Sequence, residues 1–143
     1  MPTSLKTPVH LYVVGVASLL WNAGGAFDYF MTQTKNEEYM ANFTAEQLDL
    51  FYSLPSWVVA CWALAVWGGV LGALLLLLKR KVAAPVFLLS FVSMMATTIH
   101  NFGFSDAADI LGPTGLAFSA VIWLWALGLV VYSRKMAAKG VLR

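Results

Sequence analysis

Four long stretches of the chain are apolar almost throughout, at about residues 8–30, 55–78, 83–103 and 113–133, and polar segments separate them. About 20 apolar residues in a helix cross the roughly 30 Å hydrocarbon core of a bilayer, because a backbone that cannot reach water must close its hydrogen bonds within its own segment. Each stretch therefore predicts a membrane-spanning helix. The second and fourth are the cleanest, since residues 57–78 and 111–133 contain no charged side chain. The first follows Lys6 but is longer than the roughly 7–15-residue apolar region of a signal peptide, and no small-residue cleavage site follows it, so it reads as a retained span. Pro8, Pro55, Pro85 and Pro113 each fall near the start of a span, where a missing N–H breaks no helical bond. The pattern predicts continuous helices in an all-α bundle of four transmembrane helices, with residues 1–143 as a single transmembrane domain.

The polar segments add an orientation. Lys6 precedes the first span, Lys79, Arg80 and Lys81 join the second to the third, and Arg134, Lys135, Lys139 and Arg143 follow the fourth. Basic residues in short loops are retained in the cytoplasm, so both termini are expected there. Glu37, Glu38, Glu46, Asp49, Asp106 and Asp109 all lie in the two opposite connections, where Lys35 is the only Lys or Arg. Within the first of these, Thr44 and Gln47 have the spacing of a capping box, and Phe43 and Leu48 that of a hydrophobic staple, which predicts a short helix over about residues 45–53. Leu48, Phe51 and Tyr52 share one of its faces. Such a face suits an interfacial helix in the first outer loop, or equally a loop helix packed on the bundle.

Composition narrows the function classes. Of the 143 residues 60% are hydrophobic and only 11% charged, against roughly 25% charged in a soluble domain, and the mean hydropathy is +0.75. A soluble enzyme is excluded. A net charge of +2 is too small for a nucleic-acid footprint. The single Cys61 permits no intrachain disulfide or CxxC pair. His10 and His100 are expected at opposite ends of the bundle, so one chain is not expected to ligate a haem through both. Neither a cofactor nor a metal is expected. No nucleophile–base set, phosphate loop or metal-ligand motif is visible, and the chain is not expected to be an enzyme.

Inside the spans, two helices carry seams of small and polar residues at steps of three and four: Gly15, Ser18, Asn22, Gly25 and Tyr29 in the first, and Ser90, Ser93, Thr97, His100 and Phe104 in the third. Such seams serve either as close helix contacts or as the wall of a polar cavity. Gly68 with Gly72, and Gly115 with Ser119, have small-xxx-small spacing and are expected at packing surfaces within the bundle. Asp28 and His100 are both delivered to the outer end, with Asn101 beside the histidine, and are expected to be able to meet there. An Asp–His pair at a cavity mouth can hold a proton or a polar ligand. Trp21, Trp62, Trp67, Trp123 and Trp125 lie deeper than an anchoring aromatic belt requires, and their rings can stack on a ligand, fill the bundle or face lipid. A short echo links Asn22-Ala23-Gly24 and Asp28 to Asn101-Phe102-Gly103 and Asp106, as two helical hairpins in the same orientation would produce.

Several segments carry a resemblance: Trp21-Asn22 through Phe27-Asp28-Tyr29, Met31-Thr32-Gln33-Thr34, Phe51-Tyr52-Ser53 with Pro55 and Trp57-Val58-Val59-Ala60, and Val66-Trp67-Gly68-Gly69-Val70. In combination they resemble a family of small four-span bacterial inner-membrane proteins that often bear the generic label "sugar transporter" and whose mechanism is undefined. The resemblance covers roughly the whole chain. It implies a multi-pass protein of the bacterial inner membrane and carries over no family site residue.

Two functions follow as expectations. The first is a small-solute transporter, or a small-ligand-binding membrane protein, acting as an oligomer. Asn22, Asp28, Ser93, Thr97, His100 and Asn101 would line its polar route, with Trp21 or Trp62 stacking on the ligand. Four helices seldom enclose an alternating-access pathway alone, so a homo-oligomer or other membrane subunits are implied, with the lipid bilayer as the common partner. The alternative is a non-catalytic accessory or assembly subunit whose seams and glycine pairs bind other helices.

Overall fold

A computed structural model describes residues 7–103 and 107–143. Lys6, Phe104 and Asp106, which entered the charge pattern, the second seam and the internal echo, lie outside the described residues. The chain forms α1 (Val9–Gln33), α2 (Glu37–Met40), α3 (Ala45–Tyr52), α4 (Ser56–Leu77), α5 (Ala83–Gly103) and α6 (Ala107–Ala138). Four helices are long and apolar enough to cross a membrane: Val9–Gln33, Ser56–Leu77, Ala83–Gly103 and Gly112–Ala138. Each turns large apolar side chains outward, among them Val13 on α1, Leu71 on α4, Val92 on α5 and Leu124 on α6. Water would not tolerate so much contiguous apolar surface, whereas lipid solvates it.

The helices overrun the apolar stretches for local reasons. α1 continues past Asp28 to Gln33 because its last turns supply their own polar partners. The Thr32 hydroxyl donates to the Asp28 carbonyl at 2.7 Å and the Thr34 hydroxyl to that of Phe30 at 2.8 Å. α6 runs through Arg134 and Lys135 to Ala138, since Arg, Lys and Ala are all strong helix formers. It stops just before Gly140, whose φ is 79°. The expected span over residues 113–133 is uninterrupted, and α6 adds a helical turn before it. Gly112, at φ 70° and ψ −172°, breaks α6 and sets residues 107–111 off from the long span. The cause is the next residue, because proline disfavours the α conformation in the residue before it.

The short helix α3 has its boundary where the capping box puts it. Thr44 Oγ1 accepts from the Gln47 amide at 3.1 Å, and the Thr44 amide donates to Gln47 Oε1 at 3.0 Å. Replacing Thr44 with Ala removes one half of the exchange and is expected to cost about 1 kcal/mol locally. Hydrogen exchange should then speed up in the α3 amides while those of α4 and α5 keep their rates.

α4 is the central helix. It packs against α1 on one side and α5 on the other, α5 packs in turn against α6, and α3 touches α6. The antiparallel register of α1 and α4 can be followed from end to end: Gly15 lies against Leu77, Asn22 against Gly69, Gly25 against Val66, and the Tyr29 ring meets Trp62 edge-on at 4.9 Å. The α1 seam is therefore mainly a helix contact. On the α5 side, Gly68 receives Ser90 and Gly72 receives Phe87, while the Ser90 hydroxyl donates across the helices to the Ala65 carbonyl. The neighbouring glycines of α4 thus admit two partner helices on two faces.

The end of the bundle that holds the α4–α5 turn is solidly packed. Leu11, Leu76, Phe87, Leu129 and Met136 belong to one buried cluster there, closed by Leu142 from the C-terminal tail. That tail is tied to the turn by two backbone hydrogen bonds, from the Lys81 amide to the Arg143 carbonyl at 3.0 Å and from the Arg143 amide to the Lys79 carbonyl at 2.8 Å. At the same end the His10 ring meets Tyr132, which brings the start of α1 beside the end of α6.

Candidate functional site

Toward the opposite end, where α2 and α3 lie, the packing opens between α1 and α6. α1 and α6 do not pack closely along their lengths. Trp21 bridges them, its ring 5.9 Å from Phe118 and 5.6 Å from Trp125. Inside this seam is a cavity of about 770 Å³. Leu20 and Phe118 line it and are both more than half exposed, so the cavity is open along the seam between α1 and α6.

Most of the wall is apolar. Trp21, Trp62, Trp123, Phe118 and Ile122 contribute large carbon surfaces. Polar groups are placed singly along it: Asn22, Asp28 and Thr32 from α1, Thr97, Thr98 and Asn101 from α5, and Ser119 from α6. Some of these are already engaged. The Asn22 amide donates to the Ser18 carbonyl at 2.8 Å, with its oxygen against Gly69. Thr98 donates to the Met94 carbonyl at 3.0 Å and accepts from the Trp123 indole N–H at 2.9 Å, which fixes that ring as part of the wall.

One end of the cavity is built by the loop helices. Tyr39 of α2, Phe43, Phe51 of α3 and Leu54 all line it. Their rings contact one another edge-on or tilted, Tyr39 with Phe43 at 5.9 Å and Phe43 with Phe51 at 5.3 Å. The Tyr39 hydroxyl donates to Asp28 Oδ1 and so ties α2 back onto α1. Its pKa is pushed up to about 12, by burial first and then by the hydrogen bond and the negative charge of Asp28. Both carboxylate contributions favour the protonated phenol, which keeps it a donor. Lys35, the basic residue nearest this end, is held 4.8 Å above the ring of Tyr52.

Of the residues singled out from the sequence as a polar route, Asn22, Asp28, Thr97, Asn101, Trp21 and Trp62 share this cavity. Ser93 and His100 are not part of its wall. Ser93 is buried, and the His100 ring packs edge-on against Trp57 at 5.5 Å, with its Nδ1 3.5 Å from Asn101 Oδ1. The expected meeting of Asp28 and His100 does not occur, because Tyr39 takes the carboxylate. The expected packing residues divide likewise. Gly68 and Gly72 seat α5 against α4, whereas Gly25, Gly115 and Ser119 border the cavity, Gly25 also touching Val66. The residues of the wall missed by periodicity are Tyr39, Phe43 and Thr98. The polar-to-aromatic spacing of Asp28 and Tyr39 across a tight turn was the available signal for the first.

Among the described residues, no three His, Cys, Asp or Glu side chains come together as metal ligands. No family model, curated protein or solved structure matches the chain.

Proposed function

We propose that this protein is a multi-pass protein of the bacterial inner membrane that binds a small solute in the cavity between its four long helices, and that in an oligomer it carries that solute across the bilayer. The observation that supports this most is the cavity itself, a volume of about 770 Å³ with large aromatic surfaces and a few separated polar groups. Pockets for small molecules have this make-up, in which apolar walls supply affinity and a few hydrogen-bonding groups set orientation. Trp21 and Trp62 would stack on the solute, and Asn22, Thr97 and Asn101 would bond to it. The resemblance to inner-membrane proteins labelled as sugar transporters makes sugars the first solutes to try. In the same reading both termini and the Lys79–Lys81 turn face the cytoplasm, which places the cavity in the outer half of the bilayer.

Tryptophan fluorescence of the detergent-solubilised protein, titrated with sugars and other small solutes, tests the binding. A saturable change that is lost in Trp62→Leu is expected, and no saturable change with any solute overturns it. Flux into proteoliposomes tests transport separately. Saturable uptake is expected for a solute that binds, and binding without uptake would leave the ligand-binding function and remove the transport.

A further inference from the structure

The charges around the cavity select its occupant. Among the described residues, Asp28 is the one charged side chain that lines it. No ion pair satisfies that carboxylate among the described residues. Lys35 is committed to the Tyr52 ring, and His100 is turned onto Trp57 outside the cavity wall. What Asp28 does receive is a neutral hydrogen bond from Tyr39, which orients the carboxylate and leaves its charge uncancelled. Asp28 is half-buried, and a carboxylate drawn partly out of water gains from a positive charge brought to it.

The surroundings point the same way. Aromatic rings carry negative faces that attract cations, and rings gathered about an acid form the usual receptor for alkylated ammonium groups. Here Tyr39, Phe43 and Phe51 stand at the Asp28 end, and Trp62 and Trp21 continue the aromatic wall. Below them the wall becomes apolar, with Ile122, Val66 and Ala126. An occupant matched along its length has a charged head and a carbon body. The lateral opening past Leu20 and Phe118 admits such an amphiphile from the bilayer.

We propose that the cavity takes a monovalent organic cation, a lipophilic amine or quaternary ammonium compound, with its charged head at Asp28 and its apolar body along the tryptophans. This rests on the ligand-binding function proposed above and narrows the ligand class. Anions are excluded because no basic side chain among the described residues lines the wall.

The test uses the full-length protein in detergent micelles and three probes of similar size: benzyltrimethylammonium, its uncharged isostere neopentylbenzene, and phenylacetate. Binding is followed by tryptophan fluorescence, with glucose as a further neutral solute. The ammonium compound is expected to bind saturably and at least about tenfold more tightly than the isostere. Asp28→Asn should remove that preference, while Asp28→Glu, which keeps the charge, retains it. The comparison of cation with isostere needs no variant, so misfolding of Asp28→Asn leaves the test intact. Equal binding of cation and isostere, or binding of glucose or phenylacetate in preference to the cation, overturns the ligand class and leaves the cavity a binding site. Failure of every probe and every other solute overturns both. A phosphatidylcholine headgroup offers the same chemistry as a free ammonium compound. Competition by phosphocholine-headed detergent but not by maltoside would assign the site to lipid headgroups and overturn the free amphiphile as its occupant.

Discussion

Gly72→Ala is expected to destabilise the folded protein by about 1–3 kcal/mol, the range for a methyl forced into a filled space. A Cβ at Gly72 would stand 2.6 Å from Cε1 and 2.7 Å from Cδ1 of Phe87. Phe87 is only 2% exposed and lies in the packed cluster, and the open space it borders is the cavity. Either the ring leaves its place in the cluster for the cavity or the two helices move apart, and close approach is the main source of association between helices in lipid, where no hydrophobic force drives them together. Equilibrium unfolding in mixed micelles of mild detergent and dodecyl sulfate should report the loss. Phe87→Leu in the same chain should restore part of it, so that the double variant is more stable than the two single losses added together. Strict additivity would show that the contact is not the origin of the effect.

Gly112→Ala should have a cost of similar size from a different cause. At φ 70° and ψ −172° the residue occupies a region open essentially only to glycine, and strain of about 1–3 kcal/mol follows for any side chain placed there. Among the described residues nothing stands within 4 Å of a Cβ placed there, so the penalty belongs to the backbone and not to a clash with them. Gly128, further along the same helix, gives the contrast. It too has open space, but no positive φ. Gly128→Ala should therefore be neutral or stabilising by about 0.5–1 kcal/mol, the ordinary helix preference for alanine. Opposite signs for one substitution at two positions of α6 are the expected result of thermal unfolding in detergent.

Much of this architecture was legible in the sequence, because lipid imposes a simple rule on length and polarity. The spans, the hairpin at Lys79–Lys81 and the cap at Thr44 all depend on residues close together in the chain. The ends of α1 and α6 were less legible, since hydropathy reports where charges begin and a helix continues as long as its backbone bonds are met. The kink was hidden for a related reason. Pro113 marked a helix start correctly, but nothing in the pattern announced that a helical turn would precede it.

The cavity was half legible. Helical spacing put Asn22 and Thr97 on the small-and-polar seams, depth singled out Trp62, and all three share the wall. The partner of Asp28 was not accessible in that way. His100 has a suitable depth, but depth alone does not fix which way a helix is rotated, and α5 turns His100 toward Trp57. Tyr39 reaches Asp28 because the chain reverses tightly after α1, with Lys35 at φ 54°, and lays α2 back on it.

The solid packing around Leu11, Leu76, Phe87 and Met136 gives this conformation a blind floor. A molecule that enters past Leu20 and Phe118 meets a stopper of interlocked side chains about midway down and cannot continue through that end of the bundle. Net passage would require that stopper to be withdrawn on every turnover. The shape is that of a thimble, and a pore would exist only in a second arrangement of the same helices.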